Sequence, residues 1–174
     1  MEKIGNIYLI GFMGCGKSTV ASKLNQMYGM HVVEMDQEIS ERQKMSIPDI
    51  FAQYGEAYFR DLESELLRDI QSGSNQVVSC GGGVVLREQN VADMKNNGRI
   101  VLLTAKPETI LKRVSENDDR PILQGKKTVE DITALMEARR NKYEEAADVV
   151  IATDDKSIEA ICKEILETIK EIGV

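Results

Sequence analysis

Short apolar runs alternate with longer amphipathic stretches along the chain. The runs are Ile7-Tyr8-Leu9-Ile10, Val32-Val33, Val77-Val78, Ile100-Val101-Leu102-Leu103 and Val149-Val150-Ile151. β-branched residues are frequent in them, which suits strands covered on both faces of a parallel sheet. Between the runs lie helical patterns: Leu62, Leu66, Leu67 and Ile70 recur at helix spacing, as do Ile158, Ile161, Ile165 and Ile169. Lys106-Pro107-Glu108 opens a further helix, with the proline near the first turn, where its missing N–H costs least. Five strands alternating with helices predict one three-layer α/β domain with a parallel sheet, spanning residues 1–174. One segment breaks the rhythm. Residues 115–127, SENDDRPILQGKK, are polar, carry Pro and Gly, and have little periodicity. A loop this long in a compact domain is usually functional or disordered.

Composition narrows the partners. A chain of 174 residues has room for one core, and its 42% hydrophobic and 29% charged content is that of an ordinary soluble domain. The net charge is −7 and the sequence pI is near 4.9. That balance argues against a broad phosphate-backbone footprint, which needs a basic face. An anionic ligand must therefore be held by a few locally concentrated cations. The three cysteines, Cys15, Cys80 and Cys162, are widely spaced, and His31 is the single histidine. No C-x-x-C occurs, so neither a zinc site nor a redox motif is indicated. No apolar run approaches a membrane span, and the N-terminal MEKIGNIYLIGF lacks a cleavage pattern, so a cytoplasmic monomer without nucleic-acid or membrane partners is expected.

The chemistry gathers at the predicted strand ends. Gly11-Phe12-Met13-Gly14-Cys15-Gly16-Lys17-Ser18 follows the first strand and matches G-x-x-x-x-G-K-[ST], with the helical Thr19–Tyr28 behind it. Its glycines let backbone N–H groups form an anion nest, and the helix adds its positive dipole end. Lys17 is placed to reach the β- and γ-phosphates of ATP, and the Ser18 hydroxyl to ligate Mg²⁺. Glu34-Met35-Asp36 ends the second strand, where open α/β sheets bind ligands. There Glu34 can serve the metal and Asp36 an acceptor hydroxyl; the alternative is that Asp36 caps a helix over Gln37–Lys44. Ser79-Cys80-Gly81-Gly82-Gly83 follows the third strand, and its glycines permit close backbone approach to a ligand. No Asp ends that strand, which leaves Ser79 as a candidate contact to the metal or its waters. Arg120, in the irregular segment, can bring positive charge over a γ-phosphate. Arg60 and Arg139 can clamp a carboxylate bidentately. Cys15 and Cys80 both fall in the phosphate region; they are read as small residues filling space, with an oxidation-sensitive pair as the alternative. The residues alone thus point to a kinase acting on an anionic polyol.

The combination resembles shikimate kinase. The shared pattern is the phosphate loop at Gly11–Ser18, Asp36 after strand two, Phe59-Arg60 with Glu63, Gly81–Gly83, Arg120-Pro121 with Leu123, and Arg139 with Tyr143, in family order over residues 5–170. The resemblance implies ATP-dependent phosphorylation of the 3-hydroxyl of shikimate, on the way to chorismate and the aromatic amino acids. It implies the P-loop kinase fold, a five-stranded parallel sheet in the order 2-3-1-4-5 with a lid near residues 115–127. By the same resemblance, Gly14, Cys15, Gly16, Lys17, Ser18 and Thr19 hold the ATP phosphates and Arg113 stacks on adenine. Asp36 binds shikimate and accepts its proton; Arg60, Arg139 and the Gly81–Gly83 backbone hold the acceptor; Arg120 closes onto the phosphates. Ser18 and Glu34 serve Mg²⁺, Glu34 through water. The family commonly has D-x-D where this chain has Glu34-Met35-Asp36, so Glu34 keeps the charge with one methylene more. Two other readings remain on the same scaffold: a gluconate-type carbohydrate kinase, and a non-catalytic nucleotide-binding module.

Overall fold

A computed structural model describes residues 5–12, 14–115 and 128–173. All five apolar runs become strands: β1 (Asn6–Ile10), β2 (His31–Glu34), β3 (Gln76–Ser79), β4 (Gly98–Thr104) and β5 (Val149–Ala152). They pair in parallel in the order β2-β3-β1-β4-β5, the order that the resemblance implies.

Side chains along a strand alternate between faces, and the core divides accordingly. Tyr8, Ile10, Val78, Ile100 and Leu102 join one apolar cluster, while Ile7, Leu9, Val77, Val101 and Leu103 join another. Helices α1 (Lys17–Tyr28) and α8 (Ile158–Ile172) cover the second face through Val20, Leu24, Ile161 and Ile165. The first face is covered by α2 (Met35–Gln43), α4 (Glu56–Ile70) and α5 (Glu88–Asn97), with Met35, Ile39, Leu66, Leu67 and Met94 turned inward. Burying one such Leu or Ile stabilises the fold by roughly 1.5–3 kcal/mol. A smaller cluster around Phe12, Ile110 and Ile132 joins the phosphate loop to α6 (Pro107–Ser115) and α7 (Val129–Ala146).

Several local features depart from the sequence reading, which also named no helix over Glu88–Asn97 or Val129–Ala146. An additional helix, α3 (Ile47–Tyr54), is capped by Ser46, whose hydroxyl accepts the Asp49 N–H at 3.2 Å, with Pro48 in its first turn. Second, β2 passes into α2 without a loop. Glu34 takes the cap position with no side-chain cap bond, and Asp36 lies inside the first turn, so the alternative of Asp36 as the cap is set aside. Third, α1 begins at Lys17, two residues before the expected Thr19. The irregular segment lies outside the described residues except for Ser115, the last residue of α6, and Arg120, Pro121 and Leu123 lie outside with it.

The register decides where chemistry can collect. Leu9 pairs with both Ser79 and Val101, and Ser79 pairs with Glu34. The carboxyl ends of β2, β3 and β1 therefore finish level, and the segments after them meet at one edge of the sheet.

Candidate active site

A cavity of about 540 Å³ opens at that edge. Its walls include Gly14, Gly16, Lys17, Ser18 and Thr19 of the phosphate loop, Glu34 and Asp36 at the β2–α2 junction, and Ser79 through Gly82 after β3. Arg113 on α6 and Arg139 and Tyr143 on α7 complete it. Most residues that the sequence singled out thus meet in one place.

The phosphate-loop side is built largely of backbone. Gly16 caps α1 with φ at 96°, a conformation that L side chains rarely adopt, so glycine suits this turn of the loop. The Lys17 ammonium donates to the carbonyls of Gly11 at 2.8 Å and Phe12 at 3.3 Å, which keeps it within the loop. Ser18 Oγ donates to Glu34 Oε2 at 3.1 Å. The extra methylene of Glu34 therefore does not separate it from Ser18. The expectation that Glu34 and Asp36 share a face as alternate residues of one strand fails, because the strand stops at Glu34. Both still line the cavity. Arg113 reaches back to Gly14, its Nη1 donating to the carbonyl at 2.9 Å, and also approaches Thr153 Oγ1 at 3.4 Å.

The opposite side is built of side chains packed around the triple glycine. A Cβ on Gly81 would lie 2.8 Å from Glu63 Oε2 and 3.0 Å from Asp36 Oδ1. On Gly82 it would lie 3.0 Å from the Arg139 guanidinium, and on Gly83 it would run into that of Arg60. Each glycine thus makes room for a different charged group, which is why one or two would not suffice. Tyr143 holds the run in place, its hydroxyl donating to Gly82 O at 2.7 Å. Burial pushes the Tyr143 phenol above its ordinary range, offset in part by Arg139 one helical turn before it.

Arg60 stands behind this wall and is not part of the cavity lining given by the other residues. Its Nη1 donates to Glu63 Oε1 at 2.6 Å, and its Nη2 to Glu56 Oε1 at 3.3 Å. Glu63 has no solvent exposure. Burial pushes its carboxyl above the usual range, and the Arg60 hydrogen bond and charge draw it back in part. Its Oε2 has no hydrogen-bond partner among the described residues. Sequence reasoning named Glu63 without assigning it work; its i,i+3 spacing from Arg60 was the available signal. Thr153, buried beside Arg113, was missed altogether, although it follows β5 at the ligand-binding edge.

Cys15 and Cys80 are both buried, and burial drives the Cys80 thiol well above its ordinary range, so packing is the role that the structure supports for them. No cluster of three or more His, Cys, Asp or Glu side chains able to hold a metal occurs among the described residues. Among those residues, no helix is long and apolar enough to cross a membrane.

The family model described as shikimate kinase matches residues 13–170. A shikimate kinase from Persephonella marina is 42% identical over 165 residues, covering 95% of this chain and 99% of that protein. One from Dehalococcoides mccartyi is 37% identical over 171 residues, covering 98% and 97%. Among solved structures, the shikimate kinase from Acinetobacter baumannii in complex with shikimate superposes with a TM-score of 0.90 at 31% identity, covering 99% of this chain and 97% of that one. The Aquifex aeolicus shikimate kinase gives 0.81 at 39% identity, covering 96% and 97%.

Proposed function

The chain belongs to the shikimate kinase family, and we propose that its cavity transfers the γ-phosphoryl group of ATP to the 3-hydroxyl of shikimate. The activity, ATP-dependent phosphorylation of shikimate in aromatic amino acid biosynthesis, is that of the family. The assignment of roles is our own reading. It is carried by one observation: the phosphate loop, Asp36 and Arg139 line a single cavity backed by the triple glycine.

In this reading Lys17 and the N–H groups of residues 14–19 hold the phosphates, and Arg113 lies along the base. Arg139 binds the shikimate carboxylate from the cavity wall. Arg60 acts beside Gly83, where its guanidinium already sits with Glu63. Asp36 takes the proton of the attacking hydroxyl as that oxygen bonds to the γ-phosphorus, the bond to the bridging oxygen breaks and ADP leaves. Phosphoryl transfer asks the protein mainly for alignment and charge stabilisation, and this arrangement supplies both. Arg120, outside the described residues, is assigned to the phosphates during transfer.

Mg²⁺ fits the donor set. The Ser18 hydroxyl and the Glu34 carboxylate are hard oxygen donors 3.1 Å apart beside the phosphate loop. Mg²⁺ characteristically binds through one or two protein oxygens plus phosphates and water, so a larger protein cage is not required. When bound, the ion neutralises charge on the phosphates. We assign Ser18 to direct contact, with Glu34 and Ser79 on its waters. The enzyme is further read as a single kinase domain that works as a cytoplasmic monomer, and its three separate buried thiols fit a reducing compartment.

The test is ADP release with ATP and shikimate, with gluconate as the competing acceptor, and identification of the phosphorylated carbon by phosphorus–proton correlation. Turnover with shikimate alone, phosphorylated at the 3-hydroxyl, is expected. Comparable kcat/KM for gluconate would move the enzyme to the carbohydrate kinases, and nucleotide binding without turnover would leave a binding module.

A further inference from the structure

Helix α6 carries Arg113 on the face that meets the phosphate loop. One turn before Arg113, Ile110 is fully buried against Phe12 of that loop and Ile132 of α7. An apolar stripe turns one face of a helix toward the core but leaves some freedom of rotation and axial position. A directional polar contact can remove that freedom and so settle where Arg113 falls.

The loop between β5 and α8 supplies it. Asp154 accepts the Lys106 N–H on both carboxylate oxygens, at 3.1 and 3.2 Å. It also accepts the Thr109 hydroxyl on Oδ1 at 2.6 Å. Lys106 is the cap position of α6, since its carbonyl accepts the Ile110 N–H at 3.0 Å. Pro107 follows with no N–H to offer. A carboxylate from a distant loop thus acts as the cap of α6 and faces the positive end of its dipole. Thr109 and Arg113 are four residues apart and lie on one helical face. The loop holds that face at both places, because Thr153, next to Asp154, is the residue that Arg113 Nη1 approaches. Thr153 is itself fixed to β4, its hydroxyl and its N–H each reaching Thr104 O at 2.8 Å. The charged groups facing Asp154 are Lys106 and Arg113, and its carboxyl is held below the usual range: burial would raise it, but the Thr109 and Lys106 hydrogen bonds outweigh that.

We propose that Asp154 is a positioning residue for the nucleotide: by clamping the first turn of α6 to the sheet it sets the rotation at which Arg113 meets Gly14 and the base. This rests on the reading of Arg113 as a nucleotide contact. It adds a residue that touches neither substrate and acts through Arg113 alone. Replacing it therefore changes ATP binding, leaves the acceptor side as it was, and has no further effect once Arg113 is gone.

A double-mutant cycle on the whole chain tests this, with KM for ATP, KM for shikimate, kcat and melting temperature measured for Asp154→Ala, Arg113→Ala and the pair. Asp154→Ala is expected to raise KM for ATP by about five- to tenfold, a charge-assisted contact having been lost indirectly, with kcat and KM for shikimate within about twofold. In the Arg113→Ala background the same change is expected to move KM for ATP by less than about twofold. Thr109→Val, which removes one bond and keeps the charge, is expected to give the same pattern at smaller size, and serves if Asp154→Ala proves too unstable. Multiplicative effects of the two alanines, or a lower melting temperature with no change in KM for ATP, would overturn the positioning role and leave Asp154 a plain helix cap. An unchanged KM for ATP in Arg113→Ala alone would overturn the nucleotide reading of Arg113 as well, a result that the first failure cannot mimic.

Discussion

The two halves of the site are assembled in opposite ways. The half assigned to the nucleotide is mostly one contiguous stretch, residues 11–19, where the proposed binding groups are backbone N–H groups and Lys17 folds back onto its own loop. The acceptor half draws Asp36 from α2, Arg60 and Glu63 from α4, the glycines from the end of β3, and Arg139 and Tyr143 from α7. The first half is robust because its geometry is local. The second depends on four elements packing correctly, with the glycine run as the surface they share. A single added methyl there is therefore expected to disturb chemistry more than a comparable change elsewhere in the core.

The largest effect that the comparison predicts is at Asp36. Asp36→Asn keeps the shape but loses the proton acceptor, and is expected to lower kcat by about two to four orders of magnitude. ATP affinity, measured with a fluorescent analogue, should stay close to that of the parent. Near-normal turnover would mean that proton transfer is organised elsewhere and that the acceptor half is wrongly centred.

Next come the clamps. Gly83→Ala places a methyl against the Arg60 guanidinium and is expected to raise KM for shikimate by about ten- to a hundredfold, the range for a displaced charge-assisted partner. Arg139→Ala should fall in the same range, with KM for ATP little changed in both. A rise in KM for ATP of similar size would show that the two halves are not separable.

A smaller effect probes the boundary between the halves. Glu34→Gln retains the shape of the Ser18 contact but removes the negative charge of the donor pair, all of which Glu34 carries, and is expected to raise the Mg²⁺ needed for half-maximal rate by roughly threefold or more. Glu34→Asp should remain active. Superimposable Mg²⁺ titrations of the three proteins would assign Glu34 to the strand end as a structural residue.

The smallest effect is in stability, where the halves should respond to pH with opposite sign. Glu63, in the acceptor half, has a carboxyl raised by burial. The native state then holds its proton longer than the unfolded chain, so stability falls as pH rises from about 4.3 through the native value. Asp154, in the nucleotide half, has a lowered carboxyl. Its contribution is present above about pH 3.9 and is lost as pH falls through the native value. Urea unfolding from pH 3 to 6, compared with Glu63→Gln and Asp154→Asn, should show the first variant flattening the upper part of the profile and the second the lower part. The same slope in both variants would contradict the assigned environments.

The comparison also explains what could be read in advance. The strands were legible because each is a short β-branched run, and the phosphate loop because its residues are adjacent and their spacing is set by the ligand. Helix α3 was overlooked although Ser46-Ile47-Pro48-Asp49 carries a cap and a first-turn proline, since only one of its residues, Ile50, is fully buried and its periodicity is short. Asp36 was expected at the carboxyl edge of the sheet, where it lies, but on the wrong kind of backbone. A strand that runs straight into a helix leaves no loop residues to mark the change.

By itself the sequence determined the layers of the fold, the sheet's apolar faces and the nucleotide loop, because each is a local pattern whose physics acts between near neighbours in the chain. It also determined which charged residues were available for the acceptor. Tertiary structure alone decided how they are used: that Gly81, Gly82 and Gly83 each clear a different charged side chain, that the Arg60–Glu63 pair of one helix stands behind Gly83, and that Asp154 binds the cap residue of a helix, Lys106, 48 residues before it in the chain. These arrangements follow from the parallel register, which brings the ends of β2, β3 and β1 level and sets the segments after β4 and β5 side by side. Hydrogen bonds and ion pairs act over a few ångströms of space, and sequence separation does not report that distance.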